Sequence, residues 1–563
     1  FFIGIAFAEL WVINTKGRVR AFWDGLLTLP MVLPPTVAGY ILLRIFSTRR
    51  PFGSFLSHSM GIQVVHTWLG CVVAATIIAL PLMYRNARAA FEQIDENVIY
   101  AARTLGISEW KIFWKIRLPM AKPGIISGVT LAFARAIGEY GATSMLAGNI
   151  AGKTSTISQQ IAMVVQSGDY ATAGFWCIVI IAISFACLVS INMICGKSKG
   201  IKRKRKNNVA HSKNKKQLDN FMLSVDMELT DEVVSVIGMS GSGKSMTLKC
   251  IAGIETPDSG FISLNGRVLY DSKKRINLHP GKRRVGYLFQ DYALFPTMTV
   301  MENICIAMGQ RNEEKVKGWL KRYGLEGMAY TYPNHLSGGQ RQRVAMLRML
   351  AAKPECILLD EPFSALDEHV KRSMESELME MLTDFHNPVI FVSHNRDEVY
   401  RLAERIGSME SGVLSTVRDK KDFFMRPMSV EQALLVGCNN ISEVKWQDKH
   451  HLLAVEWDSV FEVTDEQLEQ TAMSMDGISH IGVFPQDIII SAGKTKTALA
   501  YADKNIIRIK DYKMIEELKS WEVLCKLNND SIIYASLPRH TEANMLSKNI
   551  NDELYIKNFF LLG

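Results

Sequence analysis

The segment Gly238–Ser245 has the residue types and spacing of a phosphate-binding loop. It reads G-x-x-x-x-G-K-S, in which glycines let backbone N–H groups turn inward onto phosphate oxygens. The apolar run Val233–Ile237 before it predicts a buried strand, and the residues from Met246 on predict a helix whose N-terminus adds a positive dipole end. Lys244 is predicted to bridge the outer phosphates and the Ser245 hydroxyl to ligate Mg²⁺. A chance glycine and serine turn before a helix is the alternative interpretation.

Further motifs follow the loop in a fixed order. They are Val285–Gln290, a strand ending in a polar residue; Leu336–Gln340, an LSGGQ sequence opening a helix; Cys356–Glu361, a buried strand ending in two acids; Ser364–Asp367; and Val389–His394. Together with the phosphate-binding loop, this order resembles the ATPases of ABC transporters over about 210 residues. The resemblance implies that ATP and Mg²⁺ are the cofactors.

Phosphoryl-transfer chemistry suggests a role for each polar group, because positioning and charge stabilisation provide most of the catalysis. Asp360 is expected to hold the Mg²⁺ shell and Glu361 to be the general base for the attacking water. His394 is expected to contact the γ-phosphate, and Gln290 to sense Mg²⁺ and the γ-phosphate. The predicted catalytic residues are Glu361, His394 and Gln290; the predicted metal ligands are Ser245, Gln290 and Asp360. The predicted nucleotide-binding residues are Gly238, Ser240, Gly241, Ser242, Gly243, Lys244, Ser245, Met246, Ser337, Gly338, Gly339, Gln340 and Asp367. In the family, Ser337 and Gly339 serve the nucleotide of the opposite subunit, which implies a homodimer.

Composition indicates membrane segments in a chain long enough for three or four domains. Of 563 residues, 48% are hydrophobic, and the mean hydropathy is +0.06. The nine cysteines form no C-x-x-C pair, which is typical of a reducing compartment and not of a disulfide framework. Because Phe1 lies within an apolar run, we expect the natural N-terminus to be missing.

The net charge of +9 comes from one segment. Residues 196–216 contain ten Lys or Arg and no acid. A nucleic-acid patch is one interpretation. We favour a solvated linker on the cytoplasmic side, because an apolar segment ends directly before it.

The first 195 residues are predicted to form a membrane half. Apolar stretches occupy about 1–14, 23–47, 62–84, 119–147 and 171–195. Those of 20 or more residues can cross a hydrocarbon core about 30 Å thick. If they alternate in direction, most Lys and Arg of the loops lie on one side, which is then cytoplasmic. Arg49 and Arg50 lie on the other side, against this rule.

A cytoplasmic loop carries the most specific signal of the membrane half. Ala101, Ala102, Gly106 and Ile116–Pro119 match the spacing E-A-A-x₃-G-x₉-I-x-L-P, with Tyr100 in place of the glutamate. The pattern resembles the coupling loop of binding-protein-dependent ABC importers, and predicts two short helices broken near Gly106. An ordinary amphipathic helix pair is the alternative.

Charged residues within the fourth apolar stretch are candidates for a translocation pathway. Arg135 and Glu139 have i, i+4 spacing, and either line a pathway or form a structural ion pair. The segments Leu33–Tyr40, Gly138–Thr143 and Gly148–Thr154 resemble molybdate permease subunits, and sulfate permeases share much of this pattern.

The C-terminal residues alternate with a period of two. His451–Trp457 and Ser531–Ala535 are predicted to be strands. Val436–Ser442 and Gly482–Ile488 resemble the accessory β-barrel domain of importer ATPases, which implies either oxyanion binding with regulation or a dimerisation role.

The predicted fold is therefore multidomain. It comprises an α-helical transmembrane permease domain (residues 1–196), a basic linker (197–219), an α/β P-loop ABC ATPase domain (220–430) and a small β-barrel-like accessory domain of the TOBE/MOP type (431–563). The resemblance implies ATP-driven import of an oxyanion, with molybdate expected and tungstate or sulfate/thiosulfate as alternatives. An ABC exporter half-transporter and a non-transporting, membrane-tethered ATPase are the other hypotheses. The expected partners are a second copy, an extracytoplasmic oxyanion-binding protein and the lipid bilayer, with no nucleic acid. The chain is expected to be a multi-pass protein of the cytoplasmic (inner) membrane, with its ATPase and accessory domains in the cytoplasm.

Overall fold

The structure is a computed structural model. It describes residues 2–8, 18–195, 223–309, 312–364, 366, 368–383, 385–471, 477–492, 505–517, 520–538 and 550–563. The predicted basic linker at 197–219 and the predicted nucleotide-binding residue Asp367 lie outside the described residues.

The N-terminal third is helical, as predicted. Its helices are α1 (Phe2–Phe7), α2 (Arg18–Val32), α3 (Pro35–Phe46), α4 (Pro51–Met60), α5 (Trp68–Glu92), α6 (Glu96–Thr104), α7 (Glu109–Ile112), α8 (Leu118–Ile137), α9 (Gly141–Ala147), α10 (Ile157–Gln166) and α11 (Tyr170–Cys195). A π-helical turn, Phe113–Arg117, joins α7 to α8. The long antiparallel helices α5 and α8 pack against each other and form the centre of this region.

Fewer of these helices have the length and hydropathy of a membrane span than the five apolar stretches suggest. Among the described residues, α5 and positions 170–187 of α11 qualify, and a third span results if α2 and α3 count as one element. The stretch 23–47 is bent by 114° between α2 and α3, because Pro35 lacks the N–H that would continue the helix. The stretch 119–147 is interrupted at 138–140, between α8 and α9.

The middle of the chain is an α/β domain built on a mostly parallel sheet. Its strands are β1 (Val233–Ile237), β2 (Phe261–Leu264), β3 (Arg267–Asp271), β4 (Ile276–Asn277), β5 (Val285–Leu288), β6 (Cys356–Asp360), β7 (Val389–Ser393), β8 (Arg405–Glu410), β9 (Val413–Leu414) and β10 (Arg418–Asp419). Its helices are α12 (Lys244–Ala252), α13 (Pro280–Arg283), α14 (Val300–Ala307), α15 (Glu313–Arg322), α16 (Gly338–Ala351), α17 (Glu368–Thr383), α18 (Arg396–Leu402), α19 (Lys420–Met425) and α20 (Val430–Val436). The main sheet has the order β10-β8-β1-β7-β6-β5, with β9 paired to β8; β8, β1, β7, β6 and β5 run parallel.

That strand order determines where the functional side chains meet. Strands β1, β7 and β6 are adjacent, parallel and almost completely buried. Their carboxyl ends therefore lie at the same edge of the sheet, which is where ligands bind in open α/β sheets.

The C-terminal region is β-rich, as predicted. It contains β11 (Asn440–Trp446), β12 (His451–Ala454), β13 (Ser459–Glu462), α21 (Asp465–Thr471), β14 (His480–Val483), β15 (Ile488–Ala492), β16 (Ile506–Glu516), β17 (Ser520–Leu527), β18 (Ile532–Pro538), β19 (Ile550–Ile556) and β20 (Phe560–Leu562). The strands form two five-stranded antiparallel sheets around one core. The predicted strand His451–Trp457 ends early at Ala454, because residues 455–458 form the turn of the β12–β13 hairpin, in which Asp458 has φ +47°.

Candidate nucleotide site and its contact with the membrane half

The phosphate-binding loop lies between β1 and α12, as predicted. Gly241 and Gly243 have φ of +85° and +108°, values in the region that favours glycine. Helix α12 begins at Lys244, two residues earlier than the predicted helical run. The Lys244 ammonium donates to the carbonyl oxygens of Gly238 (2.8 Å) and Met239 (2.7 Å), and its burial lowers the pKa of the side chain. A buried cation whose hydrogen bonds go to carbonyl oxygens suits the charge of a phosphate group.

Ser245 and Asp360 meet at the predicted metal position. The Ser245 hydroxyl donates to Asp360 Oδ1 over 2.7 Å, and the Tyr287 hydroxyl donates to Asp360 Oδ2 over 2.8 Å. Magnesium prefers oxygen ligands and is usually bound through one or two carboxylates together with phosphates and water. A hydroxyl and a carboxylate in contact beside a phosphate-binding loop fit that ligand set.

Glu361 lies next to Gln290 and His394, the other predicted catalytic residues. Gln290 Nε2 donates to Glu361 Oε2 over 3.2 Å, and His394 Nδ1 lies 3.4 Å from Glu361 Oε1. The three side chains come from the ends of β5, β6 and β7. The structure thus brings the predicted catalytic residues together at one edge of the sheet.

The LSGGQ residues form the first turn of α16. The Ser337 hydroxyl accepts from the Gln340 N–H (3.3 Å), and the Gln340 side chain accepts from the Ser337 N–H (2.9 Å), which is a capping box. Gly339 is buried, whereas Ser337 is exposed. The two polar side chains therefore bond within this turn, and Ser337 lies at the surface.

Two residues that sequence reasoning missed support the site. Tyr287 holds Asp360, and burial together with the Asp360 charge raises the pKa of its hydroxyl. Arg283, which is fully buried, donates from Nη1 to the carbonyl oxygens of Cys250 and Ile251 (both 2.8 Å) at the end of α12. The sequence does contain one indication of the role of Tyr287: its hydroxyl lies in an otherwise apolar strand, and buried tyrosine hydroxyls usually have a hydrogen-bond partner.

The predicted coupling loop packs against the α/β domain. It forms α6 and α7, broken at Gly106 (φ +74°), as expected. A Cβ placed on Gly281 of α13 would lie only 2.5 Å from the Gly106 Cα, so the two backbones approach closely. Asn97 Nδ2 donates to Asp291 Oδ2 over 3.4 Å, and Asp291 directly follows Gln290. The membrane half therefore contacts the residue next to the nucleotide site.

A large part of the apolar contact is a single cluster. Residues from both regions contribute to it: Val98, Ile99, Ala102, Ile107, Ile112, Ile116, Phe295 and Met298. At Tyr100, where the family pattern has glutamate, the hydroxyl donates to Glu96 Oε2 within α6 over 3.1 Å. The Tyr100 ring also packs against the apolar core of the α/β domain.

Comparisons with known proteins identify both regions. Residues 221–364 match the family described as ABC transporter, and residues 1–194 match the family described as binding-protein-dependent transport system inner membrane component.

Curated ATP-binding proteins are similar to part of the chain. A sulfate/thiosulfate import ATP-binding protein of Synechococcus elongatus is 37% identical over 40% of this chain and 67% of its own length. A molybdate/tungstate import ATP-binding protein of Pyrococcus abyssi is 34% identical over 51% of this chain and 80% of its own length. An Fe(3+) ions import ATP-binding protein of Haemophilus influenzae is 37% identical over 37% of this chain and 60% of its own length. The chain thus spans between 60 and 80% of the length of these relatives.

The chain belongs to the ABC transporter family. More narrowly, it joins a membrane domain of the binding-protein-dependent type to an ABC ATPase domain, and a β-rich region follows.

Proposed function

We propose that the chain is a fused ABC importer subunit that hydrolyses ATP to move a tetrahedral oxyanion, with molybdate as the first candidate, across the cytoplasmic membrane. Two copies supply two membrane domains and two nucleotide sites, and an extracytoplasmic binding protein delivers the anion. The domain boundaries are proposed at 196, 219 and 430. The observation that carries the proposal is the contact of the coupling loop, through Asn97, with the residue that follows Gln290.

The residues of the site divide the hydrolysis between them. Lys244 and the N–H groups of the loop bind the phosphates, and Ser245 with Asp360 would hold Mg²⁺, which neutralises charge on the phosphates when bound. Glu361 accepts a proton from the attacking water, and His394 orients that water against the γ-phosphate. Ser337 and Gly339 of one copy complete the nucleotide site of the other.

Gln290 connects conformational changes at the nucleotide site to the membrane half. Its side chain contacts Glu361, and its chain neighbour Asp291 contacts Asn97 of α6. Closure of the nucleotide site would therefore shift the surface on which the coupling loop rests.

Molybdate is the first candidate because Leu33–Tyr40, Gly138–Thr143 and Gly148–Thr154 resemble molybdate permeases. Tungstate and sulfate/thiosulfate are the alternatives, and relatives named for each of these anions support the oxyanion class. The membrane domain's match to binding-protein-dependent systems weighs against an exporter. A tethered ATPase without transport remains the rival from another class, and uptake measurements separate the two.

The test is uptake by proteoliposomes containing this chain and its binding protein. We expect ATP-dependent accumulation of radiolabelled molybdate at submicromolar concentration, with competition by tungstate and poor competition by millimolar sulfate. Equal competition by sulfate would contradict the molybdate assignment and leave the importer proposal standing. Absence of uptake of any of these anions, in vesicles that hydrolyse ATP, would contradict the importer proposal.

A further inference from the structure

An ion pair lies at the break between α8 and α9. Arg135 Nη1 is 3.6 Å from Glu139 Oε2, while Glu139 Oε1 accepts a 2.8 Å hydrogen bond from the Ala142 N–H. Among the described residues, Glu139 Oε2 is buried and has no hydrogen-bond partner. The carboxylate is therefore fixed by the backbone on one side, and its contact with Arg135 is electrostatic without a hydrogen bond.

The packing of α8 on α5 gives the depth of this pair. A Cβ on Gly124 would lie 2.6 Å from Ala90 Cβ, and one on Gly128 would lie 2.9 Å from Asn86 Cβ. Four residues forward on α8 thus correspond to four residues back on α5, which places Arg135 level with the residues around Ala79. That level is about 16 Å from the start of α5 at 1.5 Å per residue. If α5 begins at one edge of a hydrocarbon core about 30 Å thick, Arg135 lies near its middle.

The two side chains differ in exposure. Only 1% of the Glu139 side chain is exposed, against 41% for Arg135. Leu131 and Ala134 share the exposed face of α8 with Arg135, at helical spacing, and the exposed Gly138 directly follows the helix. A guanidinium at mid-bilayer is costly against lipid chains and normally faces a protein interior or a water-filled cavity. The exposed face of Arg135 therefore meets water or protein in the assembled transporter.

We propose that Arg135 lines the translocation pathway and is the side chain that the oxyanion contacts at mid-membrane, with Glu139 as its counter-charge between passages. This inference rests on the proposed function and adds a residue to it. A guanidinium presents paired N–H donors that match two oxygens of a tetrahedral oxyanion. Glu139 keeps the pair neutral when the pathway is empty. The anion is consequently bound weakly enough to leave, as passage requires.

Thiol labelling tests whether Arg135 faces an aqueous path. Arg135→Cys in proteoliposomes is treated with a membrane-impermeant, anionic methanethiosulfonate reagent, and mass spectrometry measures modification at that position. We expect labelling that millimolar molybdate slows. Ile181→Cys, on the exposed face of α11, is the matched control and should remain unlabelled. No labelling at position 135, or labelling equal to that of the control, overturns the proposal.

Transport measurements test the charge. Arg135→Gln should lower uptake at limiting molybdate by about tenfold or more, because a hydrogen bond from a charged donor is lost. Arg135→Lys should retain more uptake than Arg135→Gln, and Arg44→Gln, an exposed arginine of α3, should match the unmodified chain. Uptake by Arg135→Gln equal to that of the unmodified chain contradicts this role for Arg135. If the unmodified chain transports no anion, the proposed function is contradicted instead. The labelling experiment still tests whether position 135 faces water in that case, because it does not depend on uptake.

Discussion

Glu361 has a backbone conformation that most residues avoid. Its φ is +45°, in the left-handed region, which costs on the order of 1–3 kcal/mol for a residue with a side chain. The backbone is fixed by donation from the Glu361 N–H to the Val392 carbonyl (3.1 Å) and by acceptance from the Ser364 N–H (3.2 Å) and hydroxyl (3.0 Å). This turn directs the carboxylate away from β6, toward Gln290 and His394. The strained backbone at Glu361 therefore orients its carboxylate toward the other two predicted catalytic side chains.

The first prediction concerns that carboxylate. Glu361→Gln keeps the size and polarity of the side chain but cannot accept a proton. We therefore expect binding of MgATP to persist and hydrolysis to slow by at least about 10²-fold. Nucleotide binding and steady-state phosphate release measure the two effects. Near-normal turnover would show that another group is the general base.

The second prediction concerns Tyr287. Tyr287→Phe removes the hydroxyl that donates to Asp360 Oδ2 and leaves the ring in place. Loss of an outer hydrogen bond to a ligating carboxylate typically weakens metal binding by about 10- to 100-fold. We expect the Mg²⁺ concentration that gives half-maximal ATPase activity to rise accordingly.

Tyr270→Phe is the matched control, because the Tyr270 hydroxyl donates to the Pro257 carbonyl and does not contact Asp360. An unchanged Mg²⁺ requirement in Tyr287→Phe, or an equal change in the control, would argue against Asp360 as a metal ligand held by Tyr287.

At the scale of elements, the backbones of α13 and of the end of α6 approach closely. Gly281 has no room for a Cβ, whereas a Cβ on Gly106 would find its nearest neighbour at 3.5 Å. Position 106 requires glycine because its φ is +74°. Position 281 requires glycine because a Cβ there would collide with the Gly106 backbone. Arg283, at the end of α13, connects the same surface to α12 through the Cys250 and Ile251 carbonyls.

The third prediction separates coupling from hydrolysis. Gly281→Ala and Gly106→Val should each abolish uptake and leave basal ATPase activity in detergent largely intact, because each disturbs the α6–α13 contact from one side. Gly318→Ala, on the open surface of α15, is the control and should retain both activities. Parallel loss of uptake and hydrolysis in either glycine variant would indicate misfolding.

At the scale of the whole molecule, the exposed Ser337 at the start of α16 matters only if a second copy faces it. In the fourth prediction, a Ser337→Arg chain and a Lys244→Ala chain are each inactive. Mixed, they should recover partial ATPase activity, since one composite site in the heterodimer keeps both an intact loop and an intact Ser337. Verified heterodimers that stay inactive would exclude shared sites.

A feature could be predicted from the sequence where a short stretch of residues determines it, and not where residues far apart in the chain do. The phosphate-binding loop, the strands before Asp360 and His394, and the break at Gly106 follow from short motifs, and the structure has each of them. The role of Tyr287 could not be predicted, because its partner Asp360 is 73 residues away and meets it only through the pairing of β5 with β6. The 114° bend between α2 and α3 could not be predicted either, because apolar length alone does not show where a helix breaks.

The close contact between Gly106 and Gly281 also bears on assembly. In a single chain the membrane half and the ATPase are joined covalently, so their association is intramolecular. Linked partners typically meet at an effective concentration in the millimolar range. The contact of α6 and the residues after it with the ATPase domain includes a polar bond at 3.4 Å and apolar packing. Because of the covalent link, this contact need not be strong to stay formed. Covalent linkage also means that this contact can rearrange during an ATP cycle without the two halves separating.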